Sequence, residues 1–119
     1  MKRSALMYRI FAAAIMLAPV AASAAPVELD LPGQVERTSV AYTCSDGVDR
    51  TADYINVGEN SLAVVGINGE PTVFVNVMSG SGARYAARQY VWWSKGDSVT
   101  LSNEMNSDDA PVTCTQKKG

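Results

Sequence analysis

From residue 39 onward, apolar and polar positions alternate along the chain with a period of two. Val40, Tyr42 and Cys44 fall on one face and Ala41 and Thr43 on the other, the pattern of a half-buried β-strand. Ser45-Asp46-Gly47 breaks the run as a turn, and further strands are predicted over 49–57, 61–66 and 71–78. Asn68-Gly69, between the last two, is a strong signal for a two-residue hairpin. Residues 83–95 read either as one long strand or as two short ones broken near Ala87-Arg88. An uninterrupted strand of that length is long for a small sheet, which favours two. Gly96-Asp97 then turns the chain into a strand over 98–102, an acidic loop covers 104–109, and a last strand covers 111–116. No stretch after Ala25 carries helical periodicity.

This makes about eight short strands, the spacing of an all-β barrel or sandwich. Cys44 lies on the first strand and Cys114 on the last, so a bridge between them ties the two strands that an up-and-down sheet must join to close. The expected fold is a small eight-stranded antiparallel β-barrel, filled by side chains and carrying one disulfide, Cys44–Cys114. The break near Ala87 has a further consequence. Two antiparallel strands place the Ser79–Gly82 loop and the Lys95-Gly96 turn at the same end of the barrel, whereas one strand places them at opposite ends. Trp92 and Trp93 are neighbours on a strand and must face opposite ways, one into the core and one outward.

The start of the chain has a different grammar. Lys2, Arg3 and Arg9 precede an apolar run over 10–17, and Ala22-Ser23-Ala24 supplies a small-residue cleavage pattern, so residues 1–24 read as a secretory signal peptide. The apolar run is far shorter than a membrane-spanning helix needs. No cysteine near the cleavage pattern offers a lipid acceptor, so no membrane anchor is expected and the periplasm is the predicted destination. Residues 25–38, with Pro26 and Pro32 and little periodicity, read as a flexible leader, and 39–119 as the folded domain. In an oxidising compartment a lone pair of cysteines forms a disulfide more often than a redox site, which needs closely spaced, reactive thiols.

Beyond residue 24 the chain holds seven basic and all twelve acidic residues, a balance of −5. That disfavours nucleic acid, which requires a basic face. It suits a basic protein partner through electrostatic steering, and equally it keeps an exported protein soluble. There is no histidine, so the commonest general base and the commonest metal ligand are missing. Asp46 with Asp49, and Asp108-Asp109, lack the spaced ligands and closing glutamate of a calcium loop and read as solvated charge. No metal and no cofactor are expected. Gly80-Ser81-Gly82 is not the nucleophile elbow of hydrolases. Lys95, at a hairpin tip, stays solvated and charged and cannot serve Ser81 as a base. A catalytic site, and with it an enzyme, is not expected.

The candidate chemistry is one of contact. Gly80 and Gly82 permit positive φ and a tight turn that presents Ser79 and Ser81, while Tyr85 either presents its hydroxyl or caps the barrel end. Arg84 is expected to pair with an acidic neighbour. These residues carry a family resemblance. Val40-Ala41-Tyr42-Thr43-Cys44, Ala63-Val64-Val65 before a glycine turn, the block Ser79-Gly80-Ser81-Gly82-Ala83-Arg84-Tyr85, then Trp92-Trp93-Ser94-Lys95-Gly96-Asp97 and the terminal Cys114 resemble the bacterial c-type lysozyme inhibitors (MliC/PliC), over about residues 39–115. The resemblance implies an eight-stranded barrel that inserts loop residues into the active-site cleft of a host c-type lysozyme. Ser81 and Lys95 then match the family's serine and lysine that meet the enzyme's catalytic carboxylates, with Ser79, Gly80, Gly82 and Tyr85 in the same contact block. Two departures stand out. The lipid-acceptor cysteine of the membrane-bound branch is missing, which points to the periplasmic branch, and so is a glycine that relatives carry near Ala86–Arg88. The alternative reading is a periplasmic glycan- or envelope-binding module without inhibitory activity. Monomer and homodimer are both compatible with the sequence.

Overall fold

The two-residue periodicity becomes eight antiparallel strands in the computed structural model, which describes residues 12–17, 26–106 and 108–118. They are β1 (Val35–Cys44), β2 (Asp49–Val57), β3 (Asn60–Ile67), β4 (Glu70–Val77), β5 (Ala83–Ala87), β6 (Tyr90–Lys95), β7 (Ser98–Asn103) and β8 (Val112–Gln116). Each pairs with the next, and β1 pairs with β8, closing an up-and-down barrel. Most of the signal-peptide reading rests on residues 1–11 and 18–25, which lie outside the described residues.

Closure depends on a short seam. The β1–β2 register runs from Val35↔Val57 to Thr43↔Asp49, whereas β1 meets β8 only at Tyr42↔Gln116, Thr43↔Thr115 and Cys44↔Cys114. The Cys44–Cys114 disulfide joins two residues directly opposite in that register, with Cα atoms 4.0 Å apart. It staples one of the two shortest ladders of the barrel, the other being the three pairs of β4–β5.

Strand parity sorts the side chains. Tyr42, Ala52, Ala63, Val65, Phe74, Trp92 and Val99 point inward and are fully buried. Small residues opposite large aromatics let so narrow a barrel fill without a channel. The polar ends of the aromatics satisfy one another. Tyr42 and Tyr54 share a 2.8 Å hydroxyl–hydroxyl bond, and the Trp92 indole N–H donates to the Tyr54 hydroxyl at 2.9 Å. The Tyr42 and Trp92 rings meet edge to face at 5.4 Å, a favoured arrangement of aromatic quadrupoles. Burial, followed by the hydrogen bond with Tyr54, pushes the Tyr42 phenol well above its ordinary range.

The barrel reaches further toward the N-terminus than the sequence pattern alone suggested, because β1 opens at Val35 rather than at Ser39. Before it, Val27, Leu29 and Leu31 lie against Val35, Ile55, Val57 and Leu62 on the outer face of β1–β3, around a 210 Å³ apolar cavity. Gly33 makes this approach feasible, since a Cβ there would lie 3.0 Å from the Gly58 amide nitrogen. Val57, although outward in parity, is accordingly buried.

The segment 83–95 is two strands. Chain reversal falls at Arg88-Gln89, with Arg88 in the left-handed region at φ 53°. An arginine thus occupies a backbone conformation that suits glycine, and its guanidinium lies 5.8 Å from the Tyr90 ring centroid.

Candidate functional site

Because β5 and β6 form a hairpin, the β4–β5 loop and the β6–β7 turn emerge at the same end of the barrel. Register brings them into contact: Ala83 pairs with Ser94 and Arg84 with Trp93, and Lys95 pairs with Ser98 across the turn. The two segments are then latched together. The Trp93 indole N–H donates to the backbone carbonyl of Ser81 at 2.9 Å. Gly82, at φ +65°, lies so close to β6 that a Cβ would overlap the Ser94 carbonyl oxygen and stand 2.8 Å from Lys95 Cγ. Ser79 Oγ donates to the Gly82 carbonyl at 3.2 Å, which tightens the loop from within.

The parity question between the tryptophans is resolved by the core. Trp92 is fully buried, and Trp93 faces outward. On that outer face the Lys95 ammonium lies 4.2 Å from the Trp93 ring centroid, and the Arg84 guanidinium lies 5.8 Å from it. Two cations therefore share one indole, held by the electron-rich ring face. Among the described residues, the salt bridges are Arg50–Asp46 and Lys117–Asp49. Arg84, expected from the sequence to pair with an acid, stacks on Trp93 instead. The rim thus presents an exposed serine loop beside two cations that have no carboxylate partner among the described residues, a surface suited to acidic groups.

The predicted residues take distinct positions. Ser81, Gly80 and Gly82 are exposed in the loop and Lys95 is exposed at the turn beside it, while Ser79 is half-buried. Two expectations need correction. Gly82 adopts positive φ, but Gly80 does not, and a Cβ at Gly80 would meet nothing within 4 Å. Tyr85 is not on the rim, because inward parity places it in the core at 7% exposure, with its ring 5.7 Å from that of Tyr54. Burial raises its phenol pKa, with a smaller contribution from Tyr54. Met78 went unnoticed in the sequence. It opens the same loop with its side chain 96% exposed; a methionine directly before a Ser-Gly repeat was the available signal.

Three of the four acidic residues considered for calcium, Asp46, Asp49 and Asp109, have other partners. Asp46 accepts both Arg50 terminal nitrogens at 3.0 and 2.8 Å, and this hydrogen bonding holds its carboxyl below the usual carboxylate range. Asp49 accepts from Lys117 at 2.6 Å, and Asp109 from Asn106 at 2.9 Å.

A closed barrel with a hydrogen-bonded aromatic core, and with its loops latched into one cationic rim, is a scaffold for binding another molecule. The family model described as membrane-bound lysozyme-inhibitor of c-type lysozyme matches residues 42–110. The chain belongs to that family, which is named for inhibition and not for catalysis. A membrane-bound lysozyme inhibitor of C-type lysozyme from Pseudomonas aeruginosa is 44% identical over 94 residues, spanning 75% of this chain and 74% of the relative. A protein of the same name from Cupriavidus necator is 40% identical over 72 residues, spanning 60% of this chain and 58% of the relative. The crystal structure of P. aeruginosa MliC in complex with hen egg white lysozyme superposes with a TM-score of 0.67 at 43% identity, covering 78% of this chain and 98% of that one.

Proposed function

We propose that this protein is a periplasmic inhibitor of host c-type lysozyme that places Ser81 and Lys95 against the enzyme's two catalytic carboxyl groups. The latch between their loops is the observation that carries the reading: the Trp93–Ser81 hydrogen bond and the close approach of Gly82 to Lys95 hold the two side chains on one rim. Family membership, together with the similar P. aeruginosa protein crystallised on hen egg white lysozyme, supplies the partner.

Lysozyme cleaves its glycan with one carboxyl kept protonated and one ionised. A blocker therefore needs a fixed cation for the carboxylate and a group able to donate or accept for its neighbour. The Lys95 ammonium supplies the first through a charge-assisted hydrogen bond. The Ser81 hydroxyl supplies the second, because it can donate to an ionised oxygen or accept from a protonated one. Stacking on Trp93 holds the Lys95 cation near the rim without neutralising it. Ser79 and the two glycines shape the loop, and Tyr85 supports it from the core. Envelope placement agrees with the family's name, and the periplasmic assignment rests on the basic–apolar–small pattern of residues 1–24 and on both cysteines being paired with each other.

The test is lysis of peptidoglycan-bearing cells by hen lysozyme, followed as turbidity. Removing one partner of a desolvated charge pair costs about 2–5 kcal/mol. Lys95→Ala and Ser81→Ala are each expected to weaken inhibition at least about tenfold with little change in Tm. Full inhibition by both variants would refute the insertion mechanism, and failure of the wild-type protein to slow lysis would refute the function.

A further inference from the structure

The end of the barrel opposite Ser81 and Lys95 is floored by Ile67 and Leu101, which are 5% and 7% exposed. It holds a 380 Å³ cavity, within the size range of small-ligand sites, which favour the mouths of β-barrels. Strand parity shows that this is the barrel's own mouth. Ile67, Leu101 and Val112, which line it, share the inward faces of β3, β7 and β8 with the core residues Val65, Val99 and Cys114. These three form a small apolar floor beneath a mouth that is mostly polar. Around them stand Asn68, Tyr90, Asn103, Arg50 and Asp109.

Those polar groups retain hydrogen-bonding capacity. Asn68 Nδ2 and the Tyr90 hydroxyl approach only to 3.5 Å, a long contact that leaves both open to a better partner. Asn103 Oδ1 accepts from the Met105 amide, and its amide nitrogen has no partner among the described residues. The Arg50 side chain is only 10% exposed, and its Nε–H is buried with no acceptor among the described residues. Native structures rarely leave such a group unpaired.

The charge pattern narrows the ligand. Arg50, the cation among the lining residues, is already engaged end-on by Asp46 through both terminal nitrogens, and Arg88 beside the mouth lies against the Tyr90 ring. Asp46 is held by Arg50 and Asp109 by Asn106, which leaves no cluster of open carboxylates there for a metal ion. A small apolar floor ringed by amides, a phenol and a carboxylate fits a neutral ring with one C–H face and hydroxyl edges. We propose that this mouth is a second binding site, for a neutral saccharide. It lies at the other end of the barrel from the Ser81–Lys95 rim, so glycan and protein partner can be held together, and it does not depend on the lysozyme reading.

The experiment is a titration of the ¹⁵N-labelled protein with the trimer of N-acetylglucosamine and, separately, with maltotriose, followed by amide chemical shifts. At least one sugar is expected to shift Asn68, Gly69, Tyr90 and Asn103 saturably at millimolar concentration, leaving Ser81 and Lys95 unmoved. Binding of the first sugar alone would mark recognition of the acetamido group, and binding of both would mark recognition of hydroxyls. The double variant Asn68→Gly, Asn103→Ala, whose glycine preserves the left-handed turn at residue 68, is expected to bind at least tenfold more weakly while inhibiting lysozyme as wild type does. Absence of shifts with either sugar, shifts confined to the Ser81–Lys95 end, or unchanged affinity in the double variant would each overturn the proposal.

Discussion

The Trp93 indole nitrogen on β6 donates at 2.9 Å to the carbonyl of Ser81 in the β4–β5 loop, twelve residues earlier in the chain. The same ring lies under the Lys95 ammonium at 4.2 Å. One side chain thus sets the position of both proposed contact groups, although it need touch neither carboxyl of the partner. Preorganisation of this kind raises affinity by removing ordering costs from the binding step.

Replacing Trp93 separates its two tasks. Trp93→Phe removes the hydrogen bond to Ser81, a net effect of about 1 kcal/mol, and keeps a ring for the cations. Trp93→Leu also removes the cation–π contact, worth about 0.5–1 kcal/mol at an exposed site. The expected order of lysozyme affinity, measured by surface plasmon resonance, is wild type, then Phe, then Leu, with the last about tenfold down. Equal affinities would show that the ring is only a surface residue.

Gly82→Ala should injure the site more than the fold. Its Cβ would overlap the Ser94 carbonyl oxygen, and its φ of +65° is unfavourable for alanine by roughly 1–2 kcal/mol. The loop is expected to lift from β6, with inhibition reduced at least fivefold and the far-ultraviolet circular dichroism unchanged. Gly80→Ala escapes both constraints and is expected to keep the wild-type Tm.

The disulfide should matter most at the seam. Replacing Cys44 and Cys114 by alanine is expected to cost about 2–5 kcal/mol, because only two other residue pairs join β1 to β8. Thermal unfolding should show the loss. Hydrogen exchange should rise first in Tyr42–Cys44 and Cys114–Gln116, and a uniform rise across all strands would argue against a seam that opens locally.

Alkaline pH should destabilise the barrel through its buried phenols. Tyr42 and Tyr85 both have folded-state pKa values raised above the ordinary value of 10.0. The unfolded chain therefore releases these protons first, and the stability they confer, fully present below about pH 10, falls as pH rises beyond it. Each group adds a slope of about −1.4 kcal/mol per pH unit while only the unfolded form is ionised. Urea midpoints measured between pH 9 and pH 11 should decline, less steeply in Tyr42→Phe, which starts lower through loss of its bond to Tyr54. An identical slope in that variant would remove Tyr42 from the account.

Much of this molecule follows from local rules. Alternation at Val40, Tyr42 and Cys44, the Asn68-Gly69 hairpin and the turn at Gly96-Asp97 are consequences of strand pleat and turn sterics, which act over a few residues. They are enough to divide the chain into eight strands and, with two cysteines at the ends, to suggest closure. They also bring the Ser81 loop and Lys95 to one end once the chain breaks after Ala87, even though Arg88 stands there in a conformation that favours glycine.

Periodicity defines two faces of each strand without saying which contacts long-range neighbours will bury. It therefore left open whether Trp92 or Trp93 faces outward and whether Tyr85 presents its hydroxyl. Closure of the barrel decided both, by drawing Trp92 and Tyr85 into the ring of Tyr42 and Tyr54. The latch of Trp93 on Ser81, the pairing of two cations on one indole and the open mouth beside Arg50 depend on cross-strand register. That register exists only once residues far apart in the chain have met, so by itself the sequence determined the strands and turns, and the tertiary structure decided which side chains share a surface.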